Sequence, residues 1–309
     1  MSPKGAIMIR ISLFGSTGVD TNDHHWGAAE LCGTKPRQIL ELLALSLGTP
    51  VPKEVLAECL WEGEPPASYV ATLESYVCVL RRTLALGRGS RAALATTNKC
   101  YVLDDAQVSV DVVDVRRALD STSPREVARG LELLDGELLA SEPYAGWAND
   151  ARWAFSEQLV RRCTAAAEAA GAVHDHALAV RLARTAVMQP YFSERARQEL
   201  MKALFHVGER AQALTVYAEM RSQMLEELGI EPGQDSQRLY LSLLKGGSRG
   251  TEPAHNRFEV LALLRLLRQA FESGVEIDAP DEPGLVELGK LVLSPHFGAD
   301  GSMIGARTG

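Results

Sequence analysis

Between Ser75 and Leu103 the chain has no acidic residue, yet Arg81, Arg82, Arg88, Arg91 and Lys99 all fall there. Ser68, Thr72, Ser75 and Tyr76 add hydroxyl groups along the same segment. Guanidinium, ammonium and hydroxyl donors gathered in one short stretch suit phosphate oxygens and base edges. Lys35 and Arg37 form a second basic pair at the start of an apolar run, where the first amides of a helix would also face an anion. Each position has a blander reading. Arg81 and Arg82 would pair with nearby carboxylates, and Lys35 and Arg37 would serve solubility. Tyr76 would be core with its hydroxyl at the rim, and Arg91 and Lys99 would decorate a solvated hairpin.

Other chemistries find less support. Gly15-Ser16-Thr17-Gly18 lacks the Gly-Lys-Ser/Thr ending of a phosphate loop. His24 and His25 are adjacent in an extended segment and point opposite ways. His174 and His176 are two apart, where a helical metal pair needs a spacing of about four. The five cysteines are scattered with no Cys-x-x-Cys pair, so neither zinc nor a disulfide framework is expected. No catalytic Ser-His-Asp or Cys-His set and no glycine-rich nucleotide loop is visible. The chain reads as a non-enzyme without cofactor or metal.

The elements that must position the basic stretch follow from periodicity. Ile7 to Phe14 alternates with period two, a strand. The strand-like pattern starts at Met8, a second candidate start. Thr34 is a candidate N-cap for a buried helix through Ile39, Leu40, Leu42, Leu43 and Leu47, ended by Gly48. Val55, Leu56, Cys59, Leu60 and Trp61 mark a short second helix. Val70, Leu73, Val77, Leu80 and Leu84, at spacings of three and four, place the third helix with its polar face outward. Ala93 to Thr97 and Lys99 to Leu103 read as a hairpin. A strand region, three helices and a hairpin make a winged helix-turn-helix.

From Asp111 onward the pattern is helical: Val112 to Leu119, Pro124 to Leu134, and Trp147 to Ala170, with Trp147, Trp153 and Phe155 expected in the core. Ala177-Leu178 with Val180 recurs as Ala213-Leu214 with Val216, a shift of 36 that points to tetratricopeptide-like helical hairpins. Gly246 to Pro253 reads as a linker, and Phe258 to Phe271 as an amphipathic helix that would cap the array. Lys290 to Leu293 is a candidate strand. The expected fold is mainly α with a small β part: a winged helix-turn-helix domain (1–104), an all-α tetratricopeptide-like domain (105–246) and a tail (247–309).

Charge is unevenly spread. Residues 1–104 hold ten basic and ten acidic residues, and the other 22 basic and 30 acidic residues account for the net charge of −8. Any nucleic-acid face therefore belongs to the first third. No stretch reaches the roughly 18 apolar residues of a membrane helix, and the chain reads as cytoplasmic with no membrane partner.

Lys35-Pro36-Arg37-Gln38-Ile39-Leu40, Leu60-Trp61, Pro65-Pro66-Ala67-Ser68, Tyr76-Val77 and Leu80-Arg81 resemble the Streptomyces antibiotic regulatory proteins. So do Pro190, Ser193-Glu194-Arg195, Leu200-Met201, Ala203-Leu204, Gly208-Glu209-Arg210, Ala213-Leu214, Tyr217 and the specific run Glu227-Leu228-Gly229-Ile230-Glu231-Pro232. The resemblance covers about residues 8–245. It implies an OmpR-type winged helix followed by a bacterial transcriptional activation domain. It further implies a sequence-specific activator of a secondary-metabolite gene cluster. Such a protein binds double-stranded DNA at promoter direct repeats, as a homodimer on DNA, and recruits RNA polymerase through its sigma factor. Ala71, Val79 and Cys100 depart from the family pattern. Together with the neutral first third, they favour the alternative of a regulatory adaptor with weak DNA binding, acting through protein partners of its helical domain.

Overall fold

The structure, a computed structural model, describes residues 9–87, 89 and 92–246. Arg88, Arg91, the amphipathic stretch Phe258 to Phe271 and the candidate strand Lys290 to Leu293 lie outside the described residues.

Alternating Ile9 and Ile11 against Arg10 and Ser12 give β1 (Ile9–Ser12), which buries its isoleucines. The chain returns in β2 (Gly18–Asp20) and β3 (His25–Gly27). Gly15 makes the turn at φ 70, and Gly18 already pairs with Ser12. Helix α1 (Thr34–Leu45) starts one residue earlier than expected: Gly33 is the cap and Thr34 lies inside. Strand β4 (Val51–Pro52) leads into α2 (Lys53–Trp61), and α3 (Tyr69–Thr83) follows an exposed loop. Strands β5 (Leu94–Thr97) and β6 (Cys100–Leu103) form the expected hairpin, turning through Asn98 and Lys99, both left-handed at φ 46 and 63. Strand β7 (Val108–Val110) precedes α4 (Asp111–Leu119) and α5 (Pro124–Gly130).

The first sheet has the order β3-β2-β1-β7, with β7 parallel to β1; the second has the order β4-β6-β5. Strand β7 thus lies beyond residue 104 yet completes the sheet begun by β1. Two expected buried positions are exposed: Val55 at 45% and Val70 at 40%. Helix α2 instead buries Lys53, Leu56, Ala57 and Leu60. Val70 sits on the first turn of α3 behind residues 62–68, which are all exposed and offer it no cover.

The helical half is built from α6 (Gly146–Ala172), α7 (His176–Val187), α8 (Glu194–His206), α9 (Arg210–Leu228) and α10 (Gln234–Gly246). Its repeat is not the 36-residue shift of the sequence. That offset aligns exposed Ala177 with buried Ala213. Buried Ala179, Ala183 and Ala186 correspond instead to buried Ala213, Tyr217 and Met220, 34 residues on. Helices α7 and α9 open at His176 and Arg210 with that same spacing, each preceded by a left-handed turn residue, His174 (φ 61) and Gly208 (φ 88). Burial, not letter identity, marks the unit expected of a tetratricopeptide hairpin. Trp153, expected in the core, is 56% exposed and meets Tyr191 edge-on at 5.6 Å.

The two halves meet through buried polar groups, and the described residues up to Lys245 belong to one compact unit. Asp111, at the start of α4, accepts from the Leu13 amide at 2.9 Å, the Phe14 amide at 3.1 Å and the Val112 amide at 2.6 Å. Arg37 donates from Nε and Nη2 to Glu142 Oε1 at 3.0 and 2.6 Å, and Gln38 Nε2 donates to Glu142 Oε2 at 2.6 Å. Beside them Glu41, wholly buried, accepts from the Thr17 hydroxyl at 2.5 Å. Burial pushes the Glu41 carboxyl up to about 8, with the Glu142 charge adding and Thr17 and Arg37 opposing.

The folded state therefore holds a proton on Glu41 that the unfolded chain releases near pH 4.5. Stability from this group is complete below that pH and is lost as pH rises through about 8. Urea melts from pH 5 to 9 should show this fall, and Glu41→Gln should flatten it. An unchanged slope in the variant would refute the assignment. Replacing Asp111 by Ala leaves three amides short of an acceptor and should lower unfolding free energy by roughly 2–3 kcal/mol in the same assay.

Candidate nucleic-acid interface

Helix α3 buries Leu73, Val77 and Leu80 against α1 and α2, and its opposite face is exposed. That face exposes Ala71, Glu74, Ser75, Cys78 and Arg82. Ser68 precedes the helix and does not cap it with its side chain. The hydroxyls of Thr72 and Ser75 turn back onto the carbonyls of Ser68 and Ala71 at 3.2 and 3.0 Å, leaving their oxygens able to accept. Tyr76 is half-buried and packs its ring against the core.

The hairpin β5–β6 is fastened to α3 by Arg81. Its Nε donates to the Leu94 carbonyl at 3.0 Å and its Nη2 to the Thr96 hydroxyl at 2.8 Å. The buried ring of Tyr101, on β6, lies beneath two cations: Lys53 Nζ is 5.3 Å from the centroid and the Arg81 guanidinium 6.0 Å. Lys53 also pairs with Glu74 at 2.6 Å. The hydrogen bond to Glu74 raises the Lys53 ammonium above its ordinary value, so the lysine stays charged. Glu74, which would repel phosphate if left alone, is thereby neutralised by a residue that sequence reasoning did not single out. Only the fold brings these two together.

The structure divides the eleven sequence candidates. Ser68, Thr72, Ser75, Tyr76, Arg81, Arg82 and Lys99 gather on α3 and the hairpin. Arg82 is exposed at the end of α3 and Lys99 at the hairpin tip, and neither side chain has a hydrogen-bond or ion-pair partner among the described residues. Arg37 is a correction: its side chain is only 15% exposed and is spent on Glu142, on the Ala28 and Ser141 carbonyls and on Glu41 at 3.6 Å. Lys35 is likewise turned inward, its ammonium donating to the Leu60 carbonyl at the end of α2. The sequence could not separate an anion-facing helix start from one that binds its own neighbours. Arg88 and Arg91 lie outside the described residues. Among the described residues no group of His, Cys, Asp and Glu is placed to hold a metal ion, and no helix is long and apolar enough to cross a membrane.

An exposed third helix with a hairpin pinned beside it, joined to helical hairpins of 34 residues, defines a winged-helix protein carrying a tetratricopeptide-like half. Residues 104–244 match the family model described as the bacterial transcriptional activator domain. The chain is 31% identical over 243 residues to the regulatory protein DnrI of Streptomyces peucetius, a match covering 72% of this chain and 88% of DnrI. It is 29% identical over 238 residues to the regulatory protein AfsR of Streptomyces griseus, covering 74% of this chain but 24% of AfsR. The chain thus spans about a quarter of AfsR. The transcriptional regulatory protein MoaR1 of Mycobacterium tuberculosis is 30% identical over 232 residues, with 68% of this chain and 72% of MoaR1 covered. Among solved structures, Mycobacterium tuberculosis EmbR in complex with a low-affinity phosphopeptide shares the fold, with a TM-score of 0.61 and 20% identity over 85% of this chain and 71% of EmbR. The chain belongs to the Streptomyces antibiotic regulatory protein family, whose members are transcriptional regulators.

Because Arg37 serves the interior, Arg37→Ala should cost roughly 3–5 kcal/mol of stability, the usual cost of leaving one partner of a buried pair alone. In urea unfolding the midpoint should fall sharply. Where the variant remains folded, the salt dependence of any DNA binding should match the parent protein, and a shallower dependence would return Arg37 to the interface.

Proposed function

We infer that this protein is a sequence-specific DNA-binding transcriptional activator. Residues 1–104 would form the DNA-binding domain and residues 105–246 the activation domain, with residues 247–309 as an accessory tail. The observation that carries the reading is the exposed face of α3 beside a fastened hairpin, with Arg82 at the end of the helix and Lys99 at the hairpin tip, neither partnered among the described residues. In this reading α3 lies in the major groove. Ser68, Thr72, Ser75 and Tyr76 offer hydroxyls to the duplex. Arg82, Lys99 and the neighbouring Arg88 and Arg91 contact phosphates, and Arg81 sets the position of the hairpin. Two copies side by side on promoter direct repeats, recruiting RNA polymerase and its sigma factor through the helical half, would activate a secondary-metabolite gene cluster. The protein would work in the cytoplasm, on the nucleoid, without a cofactor.

A second reading, the regulatory adaptor with weak DNA binding, is favoured by one specific feature. Lys35, Arg37 and Lys53 are committed to internal partners, which leaves few cations for DNA.

An electrophoretic shift on promoter DNA flanking the gene, with unrelated competitor DNA present, separates the two. A discrete competitor-resistant band is expected. No shift at micromolar protein and low salt would defeat the activator reading and leave the adaptor. Arg82→Ala and Lys99→Ala should each weaken binding to all sequences and lower the slope of log K against log salt by about one.

A further inference from the structure

The exposed stripe of α3 runs through Ala71, Glu74, Ser75, Cys78 and Arg82, at helical spacings of three and four. Its two charges are Glu74, in the middle of the helix, and Arg82, about 12 Å further along the axis. The Glu74 side chain is 56% exposed, yet Lys53 Nζ donates to its Oε1 at 2.6 Å. Lys53 is itself only 11% exposed and is seated over the Tyr101 ring. The second oxygen of Glu74, Oε2, has no hydrogen-bond partner among the described residues. A buried cation thus fixes an exposed carboxylate from behind, with one oxygen committed and the other presented outward. A free surface glutamate loses rotamer freedom on binding, whereas this one has lost it beforehand.

The chemistry of base edges says what such an oxygen selects. A carboxylate only accepts. In the major groove guanine shows N7 and O6 and thymine shows O4, all acceptors that repel it. Adenine sets its N6 amino group beside the N7 acceptor, while cytosine shows its N4 amino group with no acceptor next to it on the same base. Ala71, one turn earlier, brings no polar side chain to compete, and the Ser75 hydroxyl gives its proton to the Ala71 carbonyl.

We propose that Glu74 reads a cytosine in the bound duplex, accepting through Oε2 from the N4 amino group, with Lys53 as the residue that positions it. The inference rests on the DNA-binding reading above and takes it from duplex DNA in general to one base.

The test is enrichment of bound duplexes from a random-sequence pool, run in parallel on the full parent chain and on Glu74→Gln, followed by shift titrations on the enriched sites. A glutamine keeps an oxygen for Lys53 and fits N6 and N7 of adenine. The parent motif should hold a cytosine position, and at that position alone Glu74→Gln should exchange cytosine for adenine. Replacing that base pair should cost the parent protein about tenfold or more in affinity, the scale of one good base contact. Loss of a negative charge tightens binding to every duplex, so base preference is the readout rather than total affinity. A cytosine analogue lacking the 4-amino group should weaken the parent to a similar extent and Glu74→Ala little. Lys53→Gln should blunt the cytosine preference and leave the rest of the motif in place, which general destabilisation would not do. A parent motif without a cytosine that depends on residue 74, an identical motif from Glu74→Gln, or equal binding of the parent to the analogue would overturn the proposal and leave the DNA reading standing. No enriched duplex for the parent protein would overturn both.

Discussion

Glu142 is the residue on which the two halves of this molecule turn. It belongs to the loop leading into the helical array, yet both its oxygens are taken by neighbours on α1: Oε1 by Arg37 and Oε2 by Gln38. Little of either ionic side chain reaches solvent, 15% for Arg37 and 6% for Glu142. Such a pair adds little net stability compared with apolar packing, because desolvation offsets most of the attraction. Its value lies in direction. Any other placement of the loop on α1 would strand a charge, so the pair selects one docking geometry. The Asp111 carboxylate does the same for the start of α4 by closing the amides at the end of β1.

Cations elsewhere in the first third follow the same logic. Lys35 closes the end of α2, Lys53 joins α2 to α3 through Glu74, and Arg81 joins α3 to the hairpin. A balance of ten basic and ten acidic residues therefore does not mean ten basic residues facing outward. Steering of a polyanion by this face would rest on a small number of unspent charges, while shape and fixed geometry would carry the rest of the recognition.

Much of the fold was legible because the periodic apolar positions are also the buried ones. Of the five positions that placed α3, Leu73, Val77, Leu80 and Leu84 are buried and only Val70 is not, and the break between Thr97 and Lys99 placed the hairpin turn. Strands β2 and β3 were not legible: each has three residues, too few for period two to stand out among glycines and polar residues. The repeat length was misread because small residues recur in helical arrays without marking equivalent positions. The candidate interface was half legible. Sequence located the basic segment and its helix, but a charge pattern carries no information on which arginines look inward. The answer depends on Glu142, 105 positions from Arg37.

Tyr101 has a mechanical consequence. Its ring is clasped from above by a lysine of α2 and an arginine of α3, while its own strand leads directly to the hairpin tip. Helix and hairpin thus behave as the jaws of a caliper whose opening is set before anything enters. Under the proposed DNA-binding function, a duplex of unsuitable groove width would have to deform to fit, and sequences that deform easily would be accepted at positions where no side chain touches a base.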